Sequence, residues 1–302
     1  GVNSVALTTA SQVSAGTSHA CILLNVGQIK CWGANTSGQL GDGSNTGGGT
    51  LRLVTSLPGK PIQVSAGEDH TCALLEDGTI ECWGDNSFGQ LGDGTRVTSN
   101  VPVKVTGISD AIYVGAGRYH TCAIISTGHV YCWGSNGGNY ISSEDGDRLI
   151  PVQILGISEA VSLASGHAAS HQCALTISGS AFCWGYNGWG QLGDGKNVIV
   201  SSSAISPIGN LTFSRVVVGG SHTCAVTSTG DVYCWGYNGS GQLGDGTYVN
   251  HFSPYKSPLL SAVVSISAGL YQSCALMANG SVFYWGSYAS APSLAPVLLT
   301  GI

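Results

Sequence analysis

The chain has 302 residues with ten Lys and Arg against sixteen Asp and Glu, a net charge of −6, and only 9% of it is charged although 43% is hydrophobic. So few basic residues, scattered along the chain, exclude the clustered cationic face that nucleic acid requires. No stretch approaches the roughly 18 consecutive apolar residues of a membrane-spanning helix.

The N-terminus has none of the basic, apolar and small-residue succession of a signal peptide, Gly1 is not an initiator, and the sole methionine is Met277. The expectation is a processed product. With eleven cysteines and 46 glycines, the composition points to many tight turns and a framework of paired thiols.

Taken along the chain, the elements repeat. Val5–Leu7 occupies the slot of a leading strand, and a short β-hairpin follows with Cys21 and Cys31. Equivalent hairpins carry Cys72 and Cys82, Cys122 and Cys132, Cys173 and Cys183, and Cys224 and Cys234, at a period of about 50 residues. The sixth has Cys274 but Tyr284 in the second place. Trp-Gly follows every hairpin, from Trp32 to Trp285. His19, His70, His120, His171 and His222 stand two residues before the first cysteine, with Gln272 in the last copy.

In each hairpin a glycine lies six residues after the first cysteine, as Gly78 does after Cys72, which fits a three-residue loop with glycine in the left-handed region. Residues then pair when their numbers sum to that of Cys72 and Cys82. Leu74 faces Ile80 and Thr71 faces Trp83, and the same register in the sixth hairpin sets Cys274 opposite Tyr284. Both faces of the hairpin are apolar, so both must be covered. Further strands such as "VPVKV" (101–105) and "AIYVGAG" (111–117) bring each repeat to about four strands. The predicted fold is all-β: a β-propeller over 1–302 with four-stranded blades, six favoured and seven possible. A stacked-sheet solenoid is the alternative. "APVLLTGI" (295–302) is expected to close the ring against the first blade.

The stretch "VSAGEDHTCALLEDGTIECWGDNSFGQLGDG" (64–94) resembles the repeat of the regulator of chromosome condensation family, through A-G-x-x-H, D-G, W-G-x-N and G-Q-L-G-D-G. The resemblance extends over nearly the whole chain. It implies a β-propeller, commonly of seven blades, with loops near the centre of one face that bind proteins in several relatives. The third and sixth repeats lack G-Q-L-G-D-G, and in a six-bladed ring they lie opposite each other.

Directly opposed cross-strand cysteines suit disulfides. Zinc on His70, Cys72 and Cys82 lacks a fourth ligand and a usual spacing, and buried free thiols are the third reading. Five disulfides place the chain in an extracellular or cell-surface setting, with Cys274 unpaired. The repeated histidines are dispersed, whereas an active site needs different groups at one point. Asp42, Asp93, Asp194 and Asp245 in "GDG" are read as turn caps. No enzyme, cofactor or metal is expected.

Function is expected where the repeats differ. Candidate interface residues are Phe88, Tyr186, Trp189 and Tyr237 after Trp-Gly, and Arg118, Tyr119, Leu270 and Tyr271 before the histidine slot. The leading reading is a non-enzymatic extracellular interaction or structural module that binds a protein partner or copies of itself, as in a surface or filament subunit. A secreted inhibitor of a target protein, or an extracellular enzyme using the propeller face, is the alternative. Sequons at Asn35, Asn210, Asn238 and Asn279 permit glycans.

Overall fold

The computed structural model describes residues 9–137, 140–166, 169–288 and 291–300. Six four-stranded antiparallel sheets follow one another along the chain, within 10–53, 61–104, 111–153, 160–205, 215–256 and 263–298. In each the strands lie in sequence order, and the first strands of consecutive blades pack side by side around the axis. We number these sheets blades 1 to 6.

Blade 2 shows how the sequence builds the unit, with strands Pro61–Ala66, His70–Leu75, Ile80–Gly84 and Ser99–Lys104. Gly78 has φ 80° in the turn, and its N–H donates to the Leu75 carbonyl at 3.0 Å. The Asp77 carboxylate caps the turn by accepting the Thr79 N–H at 2.9 Å. That turn sets Thr71 against Trp83, Cys72 against Cys82 and Leu74 against Ile80. Gly84, after Trp83, sits at φ 107°, where a Cβ would lie 2.5 Å from the Asp69 carbonyl oxygen. Any other residue there forces the Trp-Gly strand off its neighbour.

Five disulfides join Cys21–Cys31, Cys72–Cys82, Cys122–Cys132, Cys173–Cys183 and Cys224–Cys234, each with Cα atoms 4.1 Å apart, the close spacing of non-hydrogen-bonded cross-strand partners. Each lies on the blade face turned toward the next blade. Cys72, Leu74, Ile80 and Cys82 pack against Ala123 and Trp133 of blade 3. The same cysteine-to-tryptophan packing joins blades 1 and 2, 3 and 4, 4 and 5, and 5 and 6.

Among the described residues, blades 6 and 1 form no sixth junction of this kind. Leu276 in blade 6 is 39% exposed, whereas Leu74 in the same blade position is 1% exposed. Trp32 is partly exposed, whereas the other five framework tryptophans are 1% exposed or less.

The expected closure by the terminal strand is corrected here. Ala291–Leu298 is the outer strand of blade 6, pairing Phe283 with Leu298 and Tyr284 with Val297. It stands at the edge of that sheet with blade 6's third strand as its hydrogen-bonded neighbour, and it pairs with no described strand of blade 1. Val5–Leu7 lies outside the described residues.

The first two inner strands are stitched to their successors by side chains. Gln12 and Ser14 accept the Val64 and Ala66 N–H groups at 2.9 Å, and Gln63 and Ser65 accept those of Val114 and Ala116 at 3.0 and 2.9 Å. Farther round, Arg215 and Val217 hold the corresponding places. A cavity of about 400 Å³ there is lined by Ala15, Ser165, Gly166, Arg215, Val217 and Ser267.

Candidate functional site

The repeated polar residues meet at the junctions. His70 Nε2 and Thr121 Oγ1 of blade 3 are 2.9 Å apart, and Thr121 donates to the Gln90 carbonyl of blade 2 at 2.8 Å. The Trp133 indole N–H donates to the same carbonyl at 2.9 Å. Equivalent contacts link His19 to Thr71, His171 to Thr223, and His222 to Ser273. Histidine, glutamine carbonyl, hydroxyl and tryptophan therefore form one fastener, supplied half by each blade.

Burial holds His70 and His171 neutral, with pKa values lowered to about 3, and His120 and His222 to about 4. These imidazoles are structural. The cysteines beside them are committed to disulfides, so the zinc reading of His70, Cys72 and Cys82 fails for want of thiolates.

The G-D-G aspartates are committed as well. Asp42, Asp93 and Asp245 each accept the N–H two residues on at 2.9 Å, and the Trp-Gly-x-Asn asparagines donate to them from inside the loop. Two sequon readings are corrected by this. Asn35 and Asn238 are 1% and 0% exposed, and their Nδ2 atoms donate to the Ser44 carbonyl at 3.0 Å and to Asp245 at 2.9 Å. A glycan there removes a donor and finds no space. Asn210 and Asn279 are exposed.

The variable loops gather on one face, because the connections after the first and third strands of every blade leave at the same end. Here the predicted interface residues pair across blades. Phe88 and Tyr119 have ring centroids 5.1 Å apart, and the Arg118 guanidinium lies 4.8 Å over Tyr119 while bonding Glu68 at 3.0 Å. Trp189 and Tyr237 are 5.1 Å apart, and Tyr186 meets Tyr140 edge-on at 6.2 Å. Leu270 and Tyr271 are each 43% exposed and Trp189 41%, although Trp189 packs at a tilt against Tyr237.

The face is divided in kind. Over blades 2 and 3 it carries Glu68, Asp69, Asp85 and Arg118, and the Asp69 carboxyl is raised above the usual range by burial and by the nearby Glu68 and Asp85. Over blades 4 to 6 it carries Tyr186, Trp189, Tyr237, Leu270 and Tyr271. Tyr140 escaped sequence reasoning because it fills the glutamine slot of a repeat whose loop motif is lost; aligning on Trp133-Gly134 exposes it.

Two sequence profiles described as the regulator of chromosome condensation (RCC1) repeat match the chain, one at residues 27–74, 77–124, 178–226 and 229–276, the other at 10–39, 62–90, 111–139 and 213–242. The ultraviolet-B receptor UVR8 of Arabidopsis thaliana is 30% identical over 280 residues, which is 91% of this chain and 52% of that protein. A probable E3 ubiquitin-protein ligase, HERC6 of Homo sapiens, is 31% identical over 91% of this chain and 23% of its own length. The chain thus spans about half, or less, of these relatives. Among solved structures, Prp20p of Saccharomyces cerevisiae superposes with a TM-score of 0.83 over 96% of this chain and 76% of that one, at 22% identity. Matched repeats, blade architecture and this superposition agree that the chain belongs to the RCC1 repeat family and folds as its β-propeller.

Proposed function

We propose that the chain is a non-enzymatic extracellular protein-interaction module whose loop face docks a protein partner. One observation carries this reading: the repeated His, Cys, Thr and Trp side chains are consumed inside the junctions, while the unrepeated aromatic and charged residues converge on one face. Aromatic and arginine anchors of this kind dominate protein interfaces. The solved Prp20p structure is described together with that protein's binding properties to Gsp1p and histones, which supports a docking role for the shared architecture. Five disulfides support an oxidising, extracellular setting, and Asn210 and Asn279 are open to glycosylation.

The test is cross-linking mass spectrometry of the native chain with proteins captured from its own extracellular medium. Cross-links are expected on the loop face. Trp189→Ala and Tyr271→Ala are expected to weaken the captured interaction at least about tenfold, and Val26→Ala and Ile177→Ala, in exposed turns of the opposite face, to leave it unchanged. Cross-links confined to the opposite face or the rim overturn the reading.

Self-association is a second reading, favoured by the face of blade 6 that no described blade covers. Cys274, Leu276 and Leu299 there are in the position that a neighbouring blade covers elsewhere, and blade 1 presents Trp32. The polar fastener is missing on both sides, with Gln272 for histidine and Ala20 for threonine. A second copy would therefore meet an apolar junction. Sedimentation velocity is expected to show concentration-dependent oligomers that Leu276→Glu abolishes; a monomer at the highest soluble concentration removes this reading.

A further inference from the structure

Four blades keep the glutamine of G-Q-L-G, and in each its Oε1 accepts a backbone N–H two residues upstream: from Ser37 to Gln39 at 3.0 Å, and from Phe88 to Gln90, Trp189 to Gln191 and Ser240 to Gln242 at 2.9 Å. This bond sets which way round the amide lies, so Nε2 is the end left to find a partner. In blades 1 and 2 it finds a carboxylate. Gln39 donates to Asp69 at 3.0 Å and Gln90 to Asp85 at 2.6 Å.

In blades 4 and 5 the same donors are buried and unanswered. Gln191 and Gln242 are each 0% exposed, and neither Nε2 has an acceptor. Tyr186 and Tyr237 stand where blade 2 has Asp85, and Ser221 and Tyr271 stand where it has Asp69. A buried donor without an acceptor loses its hydration with nothing in return, and two neighbouring blades carry that cost beneath the most apolar part of the loop face.

We infer that blades 4 to 6 are the sector that receives the partner, and that the partner segment presents a carboxylate, set among apolar side chains, to Gln191 and Gln242 Nε2. The inference rests on the protein-docking reading above and gives it a chemistry. A carboxylate is chosen because it is how blades 1 and 2 answer the same donors. Docking turns aside the Tyr186 and Tyr237 side chains, and Trp189, Leu270 and Tyr271 take the flanking apolar groups. The sector's own carboxylates do not compete: Asp194 and Asp245 are held by their turns, and Asp245 also by His251 at 2.7 Å. The acidic half, with Glu68, Asp69 and Asp85, repels the same segment and so orients it.

Fluorescence anisotropy with short labelled apolar peptides carrying a central Asp, Asn or Lys tests this on the full chain. The Asp peptides are expected to bind at least about tenfold more tightly than the Asn or Lys peptides. Gln191→Leu with Gln242→Leu is expected to abolish that preference. Tyr186→Asp, which restores the arrangement of blade 2 from within, is expected to weaken Asp-peptide binding about tenfold while raising the melting temperature. Equal binding of Asp and Lys peptides overturns the carboxylate assignment and leaves the docking face standing. Peptide binding indifferent to Trp189→Ala and Tyr271→Ala overturns both. Absence of binding by every peptide, with the fold verified by near-ultraviolet circular dichroism, overturns the assignment.

Discussion

Acidification from pH 7 toward pH 4 is expected to unfold the propeller cooperatively. His70, His120, His171 and His222 have pKa values lowered in the folded state to between about 3 and 4, mainly by burial. In the unfolded chain they titrate near 6.5. Between those values the unfolded state binds protons that the folded state refuses, so stability falls as pH falls below about 6.5. The slope approaches about 1.4 kcal/mol per pH unit for each fully buried histidine. Four together reach roughly 5 kcal/mol per unit, against a whole-domain stability of about 5–15 kcal/mol. Two or so units of acidification then suffice.

The shifted carboxylates act in both directions. Asp42 and Asp245 are lowered in the fold and lose their contribution only at more acidic pH, and Asp69, raised by burial and its acidic neighbours, works in the opposite direction. Intrinsic tryptophan fluorescence and far-ultraviolet circular dichroism against pH read the transition. His222→Gln copies the natural Gln272 and is expected to move the midpoint to lower pH. A signal flat down to pH 4 sinks the account.

The hairpins were legible because their causes are local. Gly78 dictates the turn, the turn dictates the register, and the register brings Cys72 to Cys82 within ten residues. The fastener was not legible, although every member of it was noticed. His70 meets Thr121, 51 residues on, and a repeat that looks the same in every blade does not say whether its residues touch their own copy or the next. The asparagine of W-G-x-N misled as a glycan acceptor for a related reason. At Asn35 and Asn238 the sequon is an accident of a framework residue buried beneath its loop. The terminal strand misled because a segment like "VPVKVTGI" at the end of the chain reads as closing the ring against blade 1. That segment is the outer strand of its own blade in every repeat, including the last.

The loop face lies between these cases. Sequence variation picked out Phe88, Tyr119, Trp189 and Tyr237, since an aromatic that breaks a repeat has no framework reason to be there. What sequence does not carry is their pairing across blades, or the fact that Gln191 and Gln242, which share their slot with Gln39 and Gln90, lack the carboxylates that answer those two. A framework residue became informative only through its missing partner.

Native and reductive treatments are expected to separate the cysteines sharply. Each disulfided cysteine is 1% exposed or less, and each pair lies under the next blade's tryptophan, so reductant reaches it only when a junction opens. Native alkylation is expected to label Cys274 alone, and slowly, because partial burial raises its thiol above the ordinary range and depletes the thiolate. In denaturant with reductant all eleven cysteines react. Each disulfide closes a short loop worth about 2–3 kcal/mol in the chain-entropy account. Even with losses to residual denatured structure, five together rival the whole stability of a domain, so the reduced chain is expected not to regain native circular dichroism until reoxidised. Rapid native alkylation of several cysteines refutes the buried-fastener account. Tyr284→Cys places a second thiol opposite Cys274 in the register that the other five pairs share. In air-equilibrated buffer the two thiols are expected to oxidise to a disulfide, dissolved oxygen taking the two electrons and two protons, seen as the loss of two hydrogens by intact mass. The rise in melting temperature is expected to be smaller than the fall caused by deleting Cys72–Cys82, because no described blade packs over the sixth cysteine face to couple its hairpin to the ring.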